Sequence, residues 1–473
     1  MNPLLNTDSY KSSHPQLYPS NLRFIQSYFE ARVEGQVTPA VLKATDLTHT
    51  VFAGLQGILH EEMGKITVND VKEAEEMFTA HGLPFPTADW MYVADKYGAF
   101  PVNIHAVPEG TIVPRGNALM VVKSTDQRVP WMPQWIESIL VRSWYPTTVA
   151  TISHRVKELI YSSLVLSSDN AVNELPFRLH DFGARGVSSP QSAMRGGFAH
   201  LINFLGTDTV PALWYARKYY HSKMAGFSIP AAEHSTIMTW GVGFENEFRS
   251  LQNLVEVYGK PGAIVAAVSD TNNIYECCEK IWGDALKKDV VDSGAVIVVR
   301  PDSGDPIEVV SAVLALLGEK YGYTVNHKGY RVMNNVRVIQ GDGMDLESIG
   351  QLYAAITTLG WSAENLTVGM GGGLLQKCNR DTLRVAYKPC LIGFETDEDE
   401  LDYMSVQKSP ATDTSKASKG GDLDLIRIDG SWKTIDRSTP AHQWYQTELV
   451  PYYLNGMIQR DDTLDEIRKR AWF

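Results

Sequence analysis

The sequence predicts an α/β protein in which a central βα repeat closes towards a barrel and the flanking chain supplies a second, α+β domain. Three observations carry that reading. Between about residues 175 and 376, short apolar runs end in polar residues or glycine and are followed by helix-period stretches. The chain before residue 169 mixes strand and turn signals with tryptophans, and the βα rhythm stops after Lys377. A length of 473 residues allows roughly two to four domains, so one small module is ruled out.

In chain order, Phe24 to Phe29 reads as a strand, and Val107-Pro108-Glu109-Gly110 as a turn leading towards a strand through Val121-Val122, beside Trp131, Trp135 and Trp144. This part, residues 1–168, is expected to join residues 377–473 in the α+β domain. In the central domain, 169–376, indistinct strands end at His180-Asp181-Phe182, Gly206-Thr207-Asp208 and Ala231-Ala232-Glu233-His234. Clearer ones run over Ala263 to Val268, Val296 to Val299, Val336 to Ile339 and Leu366 to Val368. Between them Val309, Val310, Val313, Leu314 and Leu317 share one helix face, as do Leu346, Ile349, Tyr353 and Ile356. Strands separated by such helices pair in parallel. About seven units approach a barrel; an open doubly wound sheet is the alternative. In both, the loops after the strand C-termini converge on one face, where a site is expected. Gln407 to Gly421, rich in Ser, Thr, Lys, Asp and Gly, reads as a mobile loop.

Lys plus Arg number 43 against 55 Asp plus Glu, a net charge of −12 that repels polyanions and acidic membranes. Neither nucleic acid nor a membrane is expected as a partner. The four cysteines, Cys277, Cys278, Cys378 and Cys390, form no C-x-x-C pair, so neither a disulfide framework nor a zinc knuckle is indicated. The N-terminus has no signal-peptide pattern and no run reaches about 18 apolar residues, so a soluble cytoplasmic protein is expected.

Several strand ends carry residues suited to chemistry. Gly369-Met370-Gly371-Gly372-Gly373 could turn backbone amides towards an anion or be a flexible turn, and no Walker A Lys-Ser/Thr follows. Arg300-Pro301-Asp302 offers a guanidinium and a carboxylate that could hold an anion and a metal together, or simply pair with each other. Asp342, between Gly341 and Gly343, is a turn aspartate when read alone and a ribose or metal contact when read beside Asp270 and Asp302. His180 to Gly186 contains the letters D-F-G without the other kinase elements; Phe182 could face a flat ring and Arg185 a phosphate. His234 could bind phosphate or accept a phosphoryl group, with Glu233 or Asp270 fixing its tautomer, or could be structural.

Together these segments resemble the nicotinamide phosphoribosyltransferase family over most of the chain. The resemblance begins with Asn6-Thr7-Asp8-Ser9-Tyr10-Lys11, Ser27 to Arg32, Pro114 to Asn117 and Trp144-Tyr145-Pro146. It continues through His180 to Ser189, Gly206 to Thr209, Ser228 to Thr236, Arg300 to Gly304, Val338 to Gly343 and Gly371 to Lys377. It implies an irregular βα barrel of type II phosphoribosyltransferase kind. The implied reaction joins nicotinamide to phosphoribosyl pyrophosphate, giving nicotinamide mononucleotide and pyrophosphate in NAD salvage, with Mg²⁺ and coupling to ATP. By the same resemblance Phe182 and Tyr10 sandwich the pyridine ring, Tyr10 coming from the other subunit of a homodimer with shared sites. Asp208 accepts from the carboxamide, and Arg185 and Arg300 contact phosphate and pyrophosphate. Asp302 binds the ribose diol or Mg²⁺. Gly341, Asp342, Gly371 and Gly372 cradle the ribose and its 5′-phosphate, while Arg32, Arg380, Lys388 and Lys416 reach phosphate groups. His234 is the histidine phosphorylated from ATP, and Asp270 the carboxylate beside it.

Two departures from the family pattern stand out. Asn273 occupies a place where a second aspartate is expected, and Ala386 one where a serine often precedes Lys388 by two positions. A nicotinate phosphoribosyltransferase is the rival reading, which Asp208 argues against. A catalytically silent nucleotide-binding protein is the other, with only Asn273 and Ala386 in its favour.

Overall fold

A computed structural model describes residues 1–33, 46–398, 400–413 and 416–472. The chain forms two compact units, one of residues 1–151, 215–223 and 378–473, the other of 152–214 and 224–377. The expected break at 168 lies at the end of the helix Trp144–Ser167, whereas the division falls inside that helix.

The first unit is built on a seven-stranded sheet, in spatial order Leu401–Ser405, Val385–Glu395, Leu22–Ala31, Ala118–Ser124, Val102–Ala106, Val450–Leu454 and Met457–Ile458. Its adjacent strands pair antiparallel. The interior strand Leu22–Ala31, almost wholly buried, pairs with Val385–Glu395 over nine positions, so the N- and C-terminal parts of the chain share one sheet. The tryptophan-rich stretch packs beneath it: Trp90 lies 4.9 Å from Trp135 and 5.3 Å from Trp131 between ring centroids, all three buried. Hydrogen bonds anchor described residues near the two ends of the segment expected to be a mobile loop. Ser418 donates its backbone N–H to the Lys408 carbonyl at 2.8 Å, Lys408 returns one to the Ser418 hydroxyl at 2.7 Å, and the Lys419 N–H reaches the Tyr28 hydroxyl at 2.8 Å. Thr414 and Ser415 lie outside the described residues.

The second unit is the expected βα barrel. Six parallel strands follow in the order Gly206–Thr207, Leu179–Asp181, Leu366–Met370, Val336–Gln340, Val296–Arg300 and Ile264–Val268. The segment 227–231 joins the two free edges. Thr207 donates to the Phe227 carbonyl at 3.0 Å on one side; on the other, Ala266 donates to Pro230 and Ala232 to Ala266, both at 2.9 Å. The strand expected to end at Ala231 to His234 is therefore a single bridge at Ala231, because Pro230 has no N–H to extend a ladder. Helix Pro306–Tyr321, capped by the Asp305 carboxylate, buries the predicted Val309, Val310, Val313, Leu314 and Leu317. Helix Leu346–Thr358, closed by an Asp345–Ser348 capping box, buries Ile349, Leu352, Tyr353 and Ile356. Ala266, Val298 and Ile339 form a buried apolar cluster with Phe182 and Ile229 packed against it.

One buried carboxylate makes the first unit's stability depend on pH. Glu109 accepts the backbone N–H groups of Gly54 at 2.6 Å and Gln56 at 2.7 Å and the Tyr220 hydroxyl at 3.2 Å. Complete burial pushes its carboxyl up from 4.5 to about 7, against the pull of those hydrogen bonds. The folded state then holds a proton that the unfolded chain releases, so this contribution is full below about 4.5 and is lost as pH rises through about 7. Urea unfolding across that window should show stability declining by roughly 1 to 3 kcal/mol, and Glu109→Gln should flatten the decline. An unchanged slope in the variant would refute the assignment.

Candidate active site at the strand ends

The C-terminal ends of the barrel strands gather most of the predicted residues. Phe182 follows the strand Leu179–Asp181, and its N–H donates to the Met370 carbonyl at 3.0 Å. Its ring lies flush on Gly369: a Cβ built there would sit 1.9 Å from Cε2. Gly341 floors the same ring, with a built Cβ at 3.1 Å. Arg185 is exposed in the short turn Ala184–Gly186. The backbone at Gly371 passes close to the Phe182 carbonyl, Gly372 faces open space, and Asp342 is exposed on the turn after Gln340.

Asp208 leaves the strand Gly206–Thr207 with its N–H bonded to the Asp181 carbonyl at 3.0 Å. Its Oδ1 lies 3.0 Å from Nε2 of His180 and accepts the Ser228 hydroxyl. Partial burial alone would raise its pKa. His180, the Ser228 hydroxyl and the Arg300 charge outweigh that and hold the carboxyl below the usual carboxylate range.

A second cluster surrounds His234, at the start of the helix His234–Met238. Its Nε2 lies 2.9 Å from Asp270 Oδ1 and its Nδ1 lies 3.8 Å from Asp302 Oδ2. Asp270 Oδ2 accepts the Asp302 N–H at 3.1 Å and the Ser303 hydroxyl at 2.6 Å, which ties two neighbouring strand ends together. Arg300 approaches Asp302 Oδ2 at 3.5 Å. Of the two carboxylates considered for fixing the His234 tautomer, Asp270 is the one in contact. Behind the cluster, Trp282, in the π-helical turn Cys277–Ala285, donates to the buried Ser269 hydroxyl at 3.0 Å, and buried Glu247 accepts the Asn272 amide at 2.7 Å. Asn273 caps the helix that begins at Ile274, its Oδ1 accepting the N–H groups of Tyr275 at 3.0 Å and Glu276 at 3.2 Å.

The remaining cationic residues meet in the first unit. Arg32, Arg380, Lys388 and Lys416 line a 490 Å³ cavity together with Lys408 and Ala386. Burial lowers the pKa of Lys388; Glu137 opposes the shift, and the positive charges of Arg32, Lys408 and Arg380 reinforce it. The Arg32 guanidinium pairs with Glu30 through Nε at 3.4 Å, while a second buried nitrogen, one of its terminal NH2 groups, has no partner among the described residues. Such a cavity suits an anion with several negative oxygens. Tyr10 stands apart from it, exposed on the turn Ser9–Gln16 with its ring 5.3 Å from that of His14.

Comparison with known proteins accords with this geometry. The family model described as the nicotinate phosphoribosyltransferase (NAPRTase) family matches residues 177–446, and that for the N-terminal domain of nicotinamide phosphoribosyltransferase matches residues 2–104. A protein of Xanthomonas campestris named nicotinamide phosphoribosyltransferase is 44% identical over 99% of this chain and 98% of its own length. The chain belongs to the nicotinamide phosphoribosyltransferase family. Two solved structures share its fold at 14% identity. The nicotinate-nucleotide pyrophosphorylase of Pyrococcus furiosus has a TM-score of 0.61 with 99% of this chain and 94% of that one covered. The human nicotinic acid phosphoribosyltransferase has a TM-score of 0.54, with 98% and 92% covered.

Sequence reasoning passed over His180, Ser228, Ser303 and Lys408 as site residues. His180 was visible two positions before Phe182, on the strand face that alternation assigns to the ring's own side. Ser228 and Ser303 carry no signal of their own and are recognised only by the carboxylates they reach.

The glycine floor gives a direct test. Gly369→Ala must displace the Phe182 ring, and a fall in unfolding free energy of about 1 to 3 kcal/mol is expected by urea titration. Wild-type stability in the variant would mean that the ring is not held there.

Proposed function

We propose that this chain transfers the phosphoribosyl group of phosphoribosyl pyrophosphate to nicotinamide, releasing pyrophosphate, and that it works in NAD salvage. The observation that carries the choice of base is Asp208, a carboxylate kept ionised at a strand end beside the Phe182 ring's neighbour His180. Such a group accepts an N–H from a carboxamide and repels a carboxylate, which favours nicotinamide over nicotinate. The name of the 44% identical relative agrees.

The pyridine nitrogen is a neutral nucleophile and needs no general base, so the protein's task is alignment and charge stabilisation. Phe182 offers one face to the ring, and Tyr10 of a second subunit the other, which makes the active unit a homodimer. Arg300 and Arg185 draw negative charge away from C1 of the ribose as pyrophosphate departs. Gly341, Asp342, Gly371 and Gly372 leave the backbone open for the sugar and its 5′-phosphate, and Arg32, Arg380, Lys388 and Lys416 take further phosphate oxygens. Among the described residues no group of three or more His, Cys, Asp or Glu side chains forms a metal site. Mg²⁺ bound mainly through substrate phosphates needs only one or two carboxylates, and Asp302, with Asp270 beside it, fits that demand. When bound it would neutralise charge on the pyrophosphate.

His234 suits coupling to ATP. With its Nε2 proton donated to Asp270, the lone pair on Nδ1 can attack the γ-phosphorus as ADP leaves. The four cysteines, all buried and unpaired, fit a reducing, cytoplasmic setting.

Incubation with phosphoribosyl pyrophosphate, Mg²⁺ and equal amounts of nicotinamide and nicotinate, with product identified by mass, tests the reading. Nicotinamide mononucleotide is expected, and nicotinate mononucleotide as the main product would overturn it. Asp208→Asn should reduce the preference for nicotinamide by about tenfold or more. His234→Ala should abolish acid-labile labelling from γ-labelled ATP and the stimulation of turnover by ATP, while leaving ATP-independent turnover measurable.

A further inference from the structure

Two consecutive residues fasten one oxygen of Asp270. The Asp302 N–H donates to Oδ2 at 3.1 Å and the Ser303 hydroxyl donates to the same atom at 2.6 Å, while Oδ1 faces Nε2 of His234 at 2.9 Å. The Asp270 side chain is only 6% exposed, and among the described residues His234 is the one basic group within ion-pair distance of it. A carboxylate so placed needs hydrogen bonds to remain charged. The chain on both sides of Ser303 is anchored. Arg300, three positions earlier, pairs in parallel with Val268 and accepts the Ser269 N–H at 3.0 Å, and Asp305, two positions later, caps the helix Pro306–Tyr321. His234 also has a second carboxylate in reach: Nδ1 lies 3.8 Å from Asp302 Oδ2, which Arg300 approaches at 3.5 Å. A neutral imidazole carries one N–H, so the two carboxylates compete for it.

We propose that Ser303 is a positioning residue for phosphoryl transfer to His234: its hydroxyl, with the Asp302 N–H, turns Oδ1 of Asp270 onto Nε2 and so keeps the proton there and the lone pair on Nδ1. This inference rests on the phosphohistidine reading above. In that step the Nδ1 lone pair forms the N–P bond to the γ-phosphorus of ATP, the bond from that phosphorus to the β,γ-bridging oxygen breaks with its electron pair leaving on ADP, and the Nε2 proton stays between His234 and Asp270. Without the Ser303 hydroxyl, Asp270 keeps one donor on Oδ2 and can rotate about its Cβ–Cγ bond, and the ring proton can pass to Nδ1, which ends the nucleophilicity of that nitrogen. The alternative is that the hydroxyl acts only by drawing charge from Asp270. Its removal would then make Asp270 a stronger acceptor for the Nε2 proton and speed the transfer. The two ideas thus differ in sign.

The test compares full-length wild type, Ser303→Ala and Ser303→Thr, which keeps a hydroxyl. With γ-labelled ATP and Mg²⁺ in single-turnover mixing, Ser303→Ala should form the acid-labile phosphohistidine about tenfold or more slowly, with the ATP concentration for half-maximal rate changed by less than about twofold, and Ser303→Thr should recover most of the rate. Nitrogen NMR of protein isotopically labelled at histidine, recorded without nucleotide or Mg²⁺ and with the His234 resonances identified by their loss in His234→Gln, reads the proton directly. Wild-type His234 in its neutral form should be protonated at Nε2 alone, Ser303→Ala should populate the Nδ1 tautomer, and Ser303→Thr should match wild type. A rate that is unchanged or rises in Ser303→Ala would overturn the proposal, as would equal losses in Ser303→Ala and Ser303→Thr or a His234 tautomer that is the same in wild type and Ser303→Ala. If wild type takes no label from ATP, the phosphohistidine reading fails on its own, and the tautomer comparison alone then decides whether Ser303 directs the His234 proton.

Discussion

Two hydrogen bonds at Ala266, one donated to Pro230 and one accepted from Ala232, together with the Thr207 bond to Phe227, close six parallel strands into a ring. The rest of the catalytic unit depends on that closure. An open parallel sheet would spread its strand ends along a line; a ring turns them inward to a common centre. The closing segment is also a source of site residues, since Ser228 lies within it and His234 follows it by a few positions. The proline that makes this stave irregular stops the ladder early and frees the chain to enter the helix at His234.

Closure also sets how tightly the interior is packed. Phe182 packs against the buried cluster of Ala266, Val298 and Ile339, and Gly369 and Gly341 let its ring lie on the backbone. The two carboxylates in the His234 cluster, Asp270 and Asp302, are joined through a backbone N–H and a serine hydroxyl. Hydrogen bonds of this kind orient charged groups before any ligand arrives, and that preorganisation is what an electrostatic catalyst requires.

Charge is distributed unevenly in a chain whose net charge is −12. Arg32, Arg380, Lys388, Lys408 and Lys416 share one cavity, with the half-buried Lys388 made less basic by desolvation and by its cationic neighbours. Such crowding of cations is costly without an anion and eased by one, although Glu137 and Asp381 also line the cavity. Net charge excludes polyanions as bulk partners, whereas local charge decides small-ligand binding.

The βα rhythm, the apolar faces of Pro306–Tyr321 and Leu346–Thr358, and the polar residues at strand ends were legible because each depends on residues near one another in sequence. The same holds for the motifs that placed Phe182, Asp208, His234, Asp270 and Arg300. The barrel's closure was not legible, because 227–231 pairs through isolated bridges rather than an alternating run. Asn273, noted as a departure where an aspartate is expected, is a helix cap whose amide oxygen accepts backbone N–H groups as an aspartate's would. By itself the sequence determined the fold class, the family and the chemical types gathered at the strand ends. Only the tertiary structure decided that Ser228 donates to Asp208 with His180 lying close to the same oxygen, and that Asp270 rather than Glu233 orients His234. Those contacts join residues 20 to 36 positions apart, at distances that chain closure sets and no local pattern records.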